Sequence, residues 1–304
     1  MMNQKSVDCR FRRRAVGAAV AGLVLLVMTA ARGENRAPSC VWKITGQTST
    51  VYLGGAIHVL RPQDRPYPSS YQIAYEDSER LWLETDLEDA VSPERLTKTK
   101  ELWQYTDGTT LKDHISSEVW AELQTYFRSR NLKDTTTLEK VRPGLLASVI
   151  ATLEASRAGI KLADGVDMVY FRKAKEDGKP LHALETLEFQ FGMYNQLSQK
   201  EQEDLLRETI QHADDLSKTV LSTISAWKRG DVKSLDEILN RDFYQSPAMS
   251  RIFIYDRAAK WIPFIEKQLK QSGNSMFIVG TGVLIGPKGV IEQLRKRGYR
   301  VEQM

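Results

Sequence analysis

The stretch VYLGGAIHVL, residues 51–60, sets the strongest constraint on this chain. A short β-branched and apolar run ends in two glycines, and a histidine closes the turn. Near the C-terminus FIVGTGVLIG, residues 277–286, has the same form, with Val283 standing where the first stretch has His58. A strand running into a glycine turn reads as the carboxyl end of a buried strand. With one such strand at each end of the chain, both termini are expected to supply a sheet.

The remaining pattern fits that expectation. VWKITGQTSTVYLGGAI reads as a β-hairpin turning at Gly46-Gln47-Thr48. Ser69 or Ser70 is placed to cap a helix, and LWLETDL at 81–87 reads as a strand. Strand, helix, strand in this order argues for parallel pairing. Between the ends the sequence turns helical. Val119, Trp120, Leu123, Tyr126 and Phe127 fall on one helical face, and Pro143 suits a first helical position. GVDMVYFRKAKED is a helix stopped by Gly178, and LHALE at 181–185 is a further strand. Ser198 with Glu201 forms a capping box for a helix reaching about Trp227, and Ser234 with Glu237 repeats the pattern. A helix from about Arg251 to Lys270 precedes a last unit of strand SMFIVG, helix VIEQLRKRG and strand YRVEQM. The predicted fold class is α/β: a central mixed, largely parallel sheet built from N- and C-terminal segments, with a helical middle portion.

The first 33 residues read as an export signal, leaving one domain over 34–304. Arg10, Arg12, Arg13 and Arg14 precede an apolar run from Ala15 to Ala31, and Ala31-Arg32-Gly33 has the form of a cleavage site. The run is short for a spanning helix, so an exported, periplasmic or secreted protein without stable membrane insertion is expected. The segment carries six basic residues and one acid, so its removal leaves 37 basic against 38 acidic residues and a formal charge of −1. No basic footprint for nucleic acid remains. Cys9 leaves with the signal and Cys40 has no intrachain partner, which excludes a disulfide framework; Cys40 also lacks the surroundings of a lipidation site.

In parallel α/β sheets ligands bind beyond the carboxyl ends of the strands. His58, Glu84, Asp86, Glu185 and the Gly280–Val283 turn all stand at such ends. An imidazole beside carboxylates is equipped to hold a divalent metal or to activate water. A lone histidine beside a strand is also a common structural residue, and an acid in a strand commonly faces solvent. Spacing alone leaves both readings open.

Taken together, VWKITGQTSTVYLGGAIHVL, LWLETDL, VRPGLLAS, GVDMVYFRKAKEDGKPLHALETLEFQ and FIVGTGVLIGPKGVIEQLRKRGYRVEQM resemble the TraB/GumN family, which is related to the Tiki metalloproteases. The resemblance runs from about Val41 to Met304. It implies a fold similar to erythromycin esterase and ChaN-like proteins. It also implies metal-dependent hydrolysis of a peptide or related acyl group, with manganese, cobalt or zinc as the metal. Gly55-Ala56-Ile57-His58 matches the first of the family's two G-x-x-H motifs, and Glu84 and Glu185 match its strand-end acids. The implied roles are His58 and Glu84 as catalytic residues, His58, Glu84 and Glu185 as metal ligands, and Arg142 and Arg257 as substrate-binding residues. The second G-x-x-H is broken at Val283, which has no lone pair to offer a metal. Ala258 stands where asparagine is common in the family.

Three functions follow as alternatives. The first is a metal-assisted hydrolase whose site is impaired at residue 283. The second is a non-catalytic protein that binds a peptide or small molecule and regulates another exported protein. The third, haem binding, is suggested only by the ChaN-like relatives; the sequence has no distinct haem motif.

Overall fold

The structure, a computed structural model, describes residues 37–304. The export signal expected over 1–33 lies outside them. Six strands form one sheet: β1 (Val41–Thr45), β2 (Thr50–Ala56), β3 (Arg80–Leu83), β4 (Leu181–Ala183), β5 (Ser275–Gly280) and β6 (Val301–Gln303). Their order is β4-β3-β5-β2-β1-β6. The pairs β4–β3, β3–β5 and β5–β2 are parallel, whereas β1 runs antiparallel to both β2 and β6.

The N- and C-terminal segments therefore interleave. The β2-to-β3 crossover leaves a gap of one strand, which β5 fills from the far end of the chain, and β6 closes the sheet beside β1. The two middle strands are buried along almost their whole length, from Val51 to Ala56 in β2 and from Ser275 to Val279 in β5. Burial on both faces is why they read as continuous apolar runs rather than alternating ones.

The longer helices are α1 (Ser69–Glu76), α2 (Ser117–Ser129), α3 (Pro143–Arg157), α4 (Val166–Asp177), α5 (Leu187–Tyr194), α6 (Gln199–Gln211), α7 (Ala213–Lys228), α8 (Val232–Leu239) and α9 (Asp256–Lys270). A single turn, α10 (Thr281–Leu284), and α11 (Val290–Lys296) follow β5. The sheet and the helices against it share the main core, around Trp42, Leu53, Tyr71, Trp227, Trp261 and Phe277. A separate core in the helical middle joins Val119, Leu123, Phe127, Leu146, Ile150 and Leu206. Among the described residues no helix is long and apolar enough to cross a membrane.

Several boundaries differ from the sequence reading, each for a local reason. The strand expected over 81–87 ends at Leu83, because Asp86 turns to accept a hydrogen bond from Glu88 N at the head of a short helix. Ser69 and Ser70 lie inside α1, with Pro68 at its cap. The capping box of Ser198 and Glu201 forms, but the long helix breaks at His212 into α6 and α7. Asp231, not Ser234, caps α8 and accepts from Ser234 N. The helix from Arg251 begins with a π turn, Arg251–Tyr255, before α9.

Candidate active site at the strand ends

The carboxyl ends of β2, β3, β4 and β5 are neighbours, so the residues that follow them converge. The β3–β4 pairing continues past both strands: Leu184 N donates to Leu83 O at 3.0 Å and Glu185 N to Glu84 O at 2.8 Å. That continuation sets Glu84 and Glu185 side by side.

Arg257, from the first turn of α9, lies between the two carboxylates. Its Nη2 donates to Glu84 Oε2 at 2.6 Å and to Glu185 Oε2 at 2.8 Å, and its Nε donates to Glu185 Oε1 at 2.8 Å. Trp261, one turn further along α9, donates Nε1–H to Glu185 Oε1 at 3.0 Å, and its ring centroid lies 4.8 Å from the guanidinium carbon. Gln190 adds a 3.2 Å donor to Glu185 Oε2 and a longer contact to Glu84 Oε2. Glu84 Oε1 accepts from the backbone N–H of Gly280. Side-chain exposures of 9% for Arg257, 12% for Glu84 and 4% for Glu185 make this a buried charge cluster.

His58 faces the same cluster from the end of β2. Its Nδ1 meets Asp167 Oδ2 at 2.9 Å. A methyl group built on Gly280 would lie 2.9 Å from Glu84 Oε1 and 3.4 Å from His58 Nε2. The two polar atoms thus border one small space, which glycine leaves open.

Packing withdraws water from the His58 ring and pulls its pKa down. The charge and hydrogen bond of Asp167, with the nearby Glu84, outweigh this and push it up to about 9. Nearly half the side-chain surface (47%) remains open to solvent, so water reaches the ring edge and the loss of hydration is incomplete. The same solvent screens the attraction of Asp167, and the balance of these effects favours the protonated ring. Burial works to raise the Glu84 pKa, but Arg257, His58 and the Gly280 N–H hold it below the usual range. Burial likewise opposes the charge on Arg257, and Glu84 and Glu185 more than restore it.

Arg142 stacks on Tyr105, 4.9 Å from the ring centroid, and donates to Glu101 O at 3.2 Å. Among the described residues no hydrogen bond or ion pair joins it to His58, Glu84, Glu185 or Arg257. Ala258 and Val283 are both buried in the main core. Asp86 is the helix cap noted above. Of the remaining histidines, His114 stacks on Tyr105, His182 stacks on Trp82, and His212 marks the α6–α7 break.

Sequence reasoning missed Asp167 and Gln190. Asp167 stands in the GVD segment that opens α4, and Gln190 lies one turn beyond Glu185, but neither carries a spacing that marks it.

The family resemblance implies a divalent metal at these strand ends. Among the described residues no three His, Cys, Asp or Glu side chains group around a point that could hold an ion. His58 Nε2 and Glu84 Oε1 border the space at Gly280. Both oxygens of Glu185 already accept from Arg257, and Val283 offers no donor. A catalytic zinc-type centre takes three protein ligands, so these residues do not fit a resident metal of that kind.

A family model described as the TraB/PrgY/gumN family matches residues 40–303. The chain belongs to this family. It is 24% identical over 234 residues to the uncharacterized protein YbaP of Escherichia coli (strain K12), covering 77% of this chain and 82% of that protein. The match to YbaP of Shigella flexneri has the same figures. A metalloprotease TIKI homolog of Amphimedon queenslandica is 21% identical over 321 residues, covering 88% of this chain and 61% of its own length. No solved structure matches the chain.

Proposed function

We propose that this TraB/PrgY/gumN protein is an exported hydrolase acting on a peptide or related acyl group, with a donor set reduced by Val283. The observation that carries this is the convergence of His58 Nε2 and Glu84 Oε1 over Gly280, at the open end of a parallel sheet. A charged His58 presents an Nε2–H donor to a substrate carbonyl oxygen and stabilises negative charge developing there. Glu84, kept ionised, accepts the proton of an attacking water as the new C–O bond forms and passes it to the leaving group as the acyl bond breaks. Arg257 fixes the orientation of Glu84 and balances its charge. The TIKI homolog, a metalloprotease by name, supports hydrolysis as the reaction class. Manganese, cobalt or zinc, the metals implied by the family resemblance, would meet only two donors here, too few for a resident site. Peptide cleavage by the purified mature chain, with and without each metal, tests the reading, with His58→Ala as the control.

A second reading has its own support. With Glu84 and Glu185 both engaged by Arg257 and no second histidine, the crevice suits a protein that binds a peptide or small molecule without cutting it. Binding of peptides that remain intact in the same assay separates the two.

A further inference from the structure

We propose that Asp167 is a positioning residue, whose carboxylate grips Nδ1 of His58 and keeps Nε2 aimed at the space over Gly280. This rests on the reading of His58 as a working residue of the crevice.

The contact is built from the backbone outward. Val166 N donates to Ile57 O at 3.1 Å, tying the start of α4 to the end of β2. At Gly165 a Cβ would collide with the carbonyl carbon and oxygen of His58. The Gly165-Val166-Asp167 segment therefore lies against the His58 backbone at a distance only glycine permits, which brings Asp167 level with the ring.

An acid in the first turn of a helix is ordinarily explained by the free N–H groups and positive dipole there. Asp167 does not fit that explanation. The α4 cap is Gly165 with no side-chain cap bond, and Asp167 makes no hydrogen bond to its own backbone. Its Oδ2 goes to His58 Nδ1. Its Oδ1 is buried and meets no protein donor among the described residues. The geometry of this carboxylate therefore serves the imidazole rather than the helix terminus. A carboxylate behind the far nitrogen fixes ring orientation and stabilises the protonated ring.

The test reads the ring directly and needs no substrate. In protein labelled with 15N-histidine, His58 is expected to show a downfield, slowly exchanging Nδ1–H proton signal, assigned by its loss in His58→Gln. Asp167→Asn keeps the size of the side chain and removes its charge. It is expected to move the signal upfield and speed exchange about tenfold or more, as a charge-assisted bond becomes a neutral one. No such signal in the wild type, or one with unchanged position and exchange in Asp167→Asn, overturns the proposal. Where peptide cleavage is measurable, Asp167→Asn should lower kcat and leave KM unchanged; loss through KM alone also overturns it. A wild type with the signal but no cleavage supports the grip on His58 and removes the hydrolase reading, so the two fail separately.

Discussion

Replacing Arg257 by methionine leaves Glu84 and Glu185 facing each other, with 12% and 4% of their side chains exposed and no guanidinium between them. Breaking a buried pair by removing one partner costs ~3–5 kcal/mol. In a domain of this size each kcal/mol corresponds to roughly 2–4 °C in Tm, so a fall of roughly 6–20 °C is expected at pH 8. The pH dependence is the sharper reading. In the wild type the Glu84 pKa lies below its ordinary value. Its contribution is present above the unfolded-state pKa of about 4.3 and is lost as pH falls through the lower folded value. In Arg257→Met, burial and the like charge beside it raise the folded pKa of Glu84. The contribution is then present below the unfolded pKa and lost as pH rises through the raised one. The deficit relative to wild type should therefore be larger at pH 8 than at pH 5, as measured by thermal melting with urea unfolding as a second probe. Equal deficits at both pH values, or a variant melting within about 2 °C of wild type at pH 8, would refute the description of a buried, arginine-balanced carboxylate pair.

Three further outcomes are expected. Gly280 has φ −52° and ψ 128°, which alanine adopts freely, but its Cβ would press on Glu84 Oε1 at 2.9 Å; Gly280→Ala should cost ~1–3 kcal/mol through overpacking and abolish peptide cleavage, by filling the space between His58 and Glu84, while the protein stays folded. Val283 is 5% exposed, so Val283→His should lower the metal-free Tm through overpacking worth ~1–3 kcal/mol. Manganese, cobalt or zinc should then raise the Tm of that variant alone; an equal rise in the wild type would mean that metal binding never needed residue 283. Intact mass of the protein from extracytoplasmic fractions should correspond to a chain beginning near Glu34, and full-length protein held in membranes would contradict export.

The sheet was legible in the sequence because its strands are marked by composition. VYLGGA and SMFIVG are apolar on both faces, as central parallel strands must be, and their glycine turns fix the ends that meet. What the sequence could not show was the insertion of β5 between β2 and β3, since nothing local in SMFIVG names its neighbours. Helix interiors were readable from periodicity, but the break at His212 and the cap at Asp231 depend on local competition among polar side chains. In the site, His58, Glu84, Glu185 and Arg257 were visible through the family resemblance. Arg142 matched the same pattern, yet its hydrogen bond and stacking belong to the helical middle. Asp167 was hidden because its partner lies 109 positions away in the chain, and only the fold brings an unremarkable helix-start acid behind the imidazole.

The most direct measurement of the central claim is peptide cleavage read by mass spectrometry. The mature protein is incubated with a diverse peptide mixture, with and without manganese, cobalt or zinc, beside His58→Ala and Glu84→Gln. The account predicts new peptide termini with the wild type that vanish in both variants while the folded state persists by circular dichroism. Cleavage that survives in either variant, or a wild type that cuts nothing under any of these conditions, would contradict it.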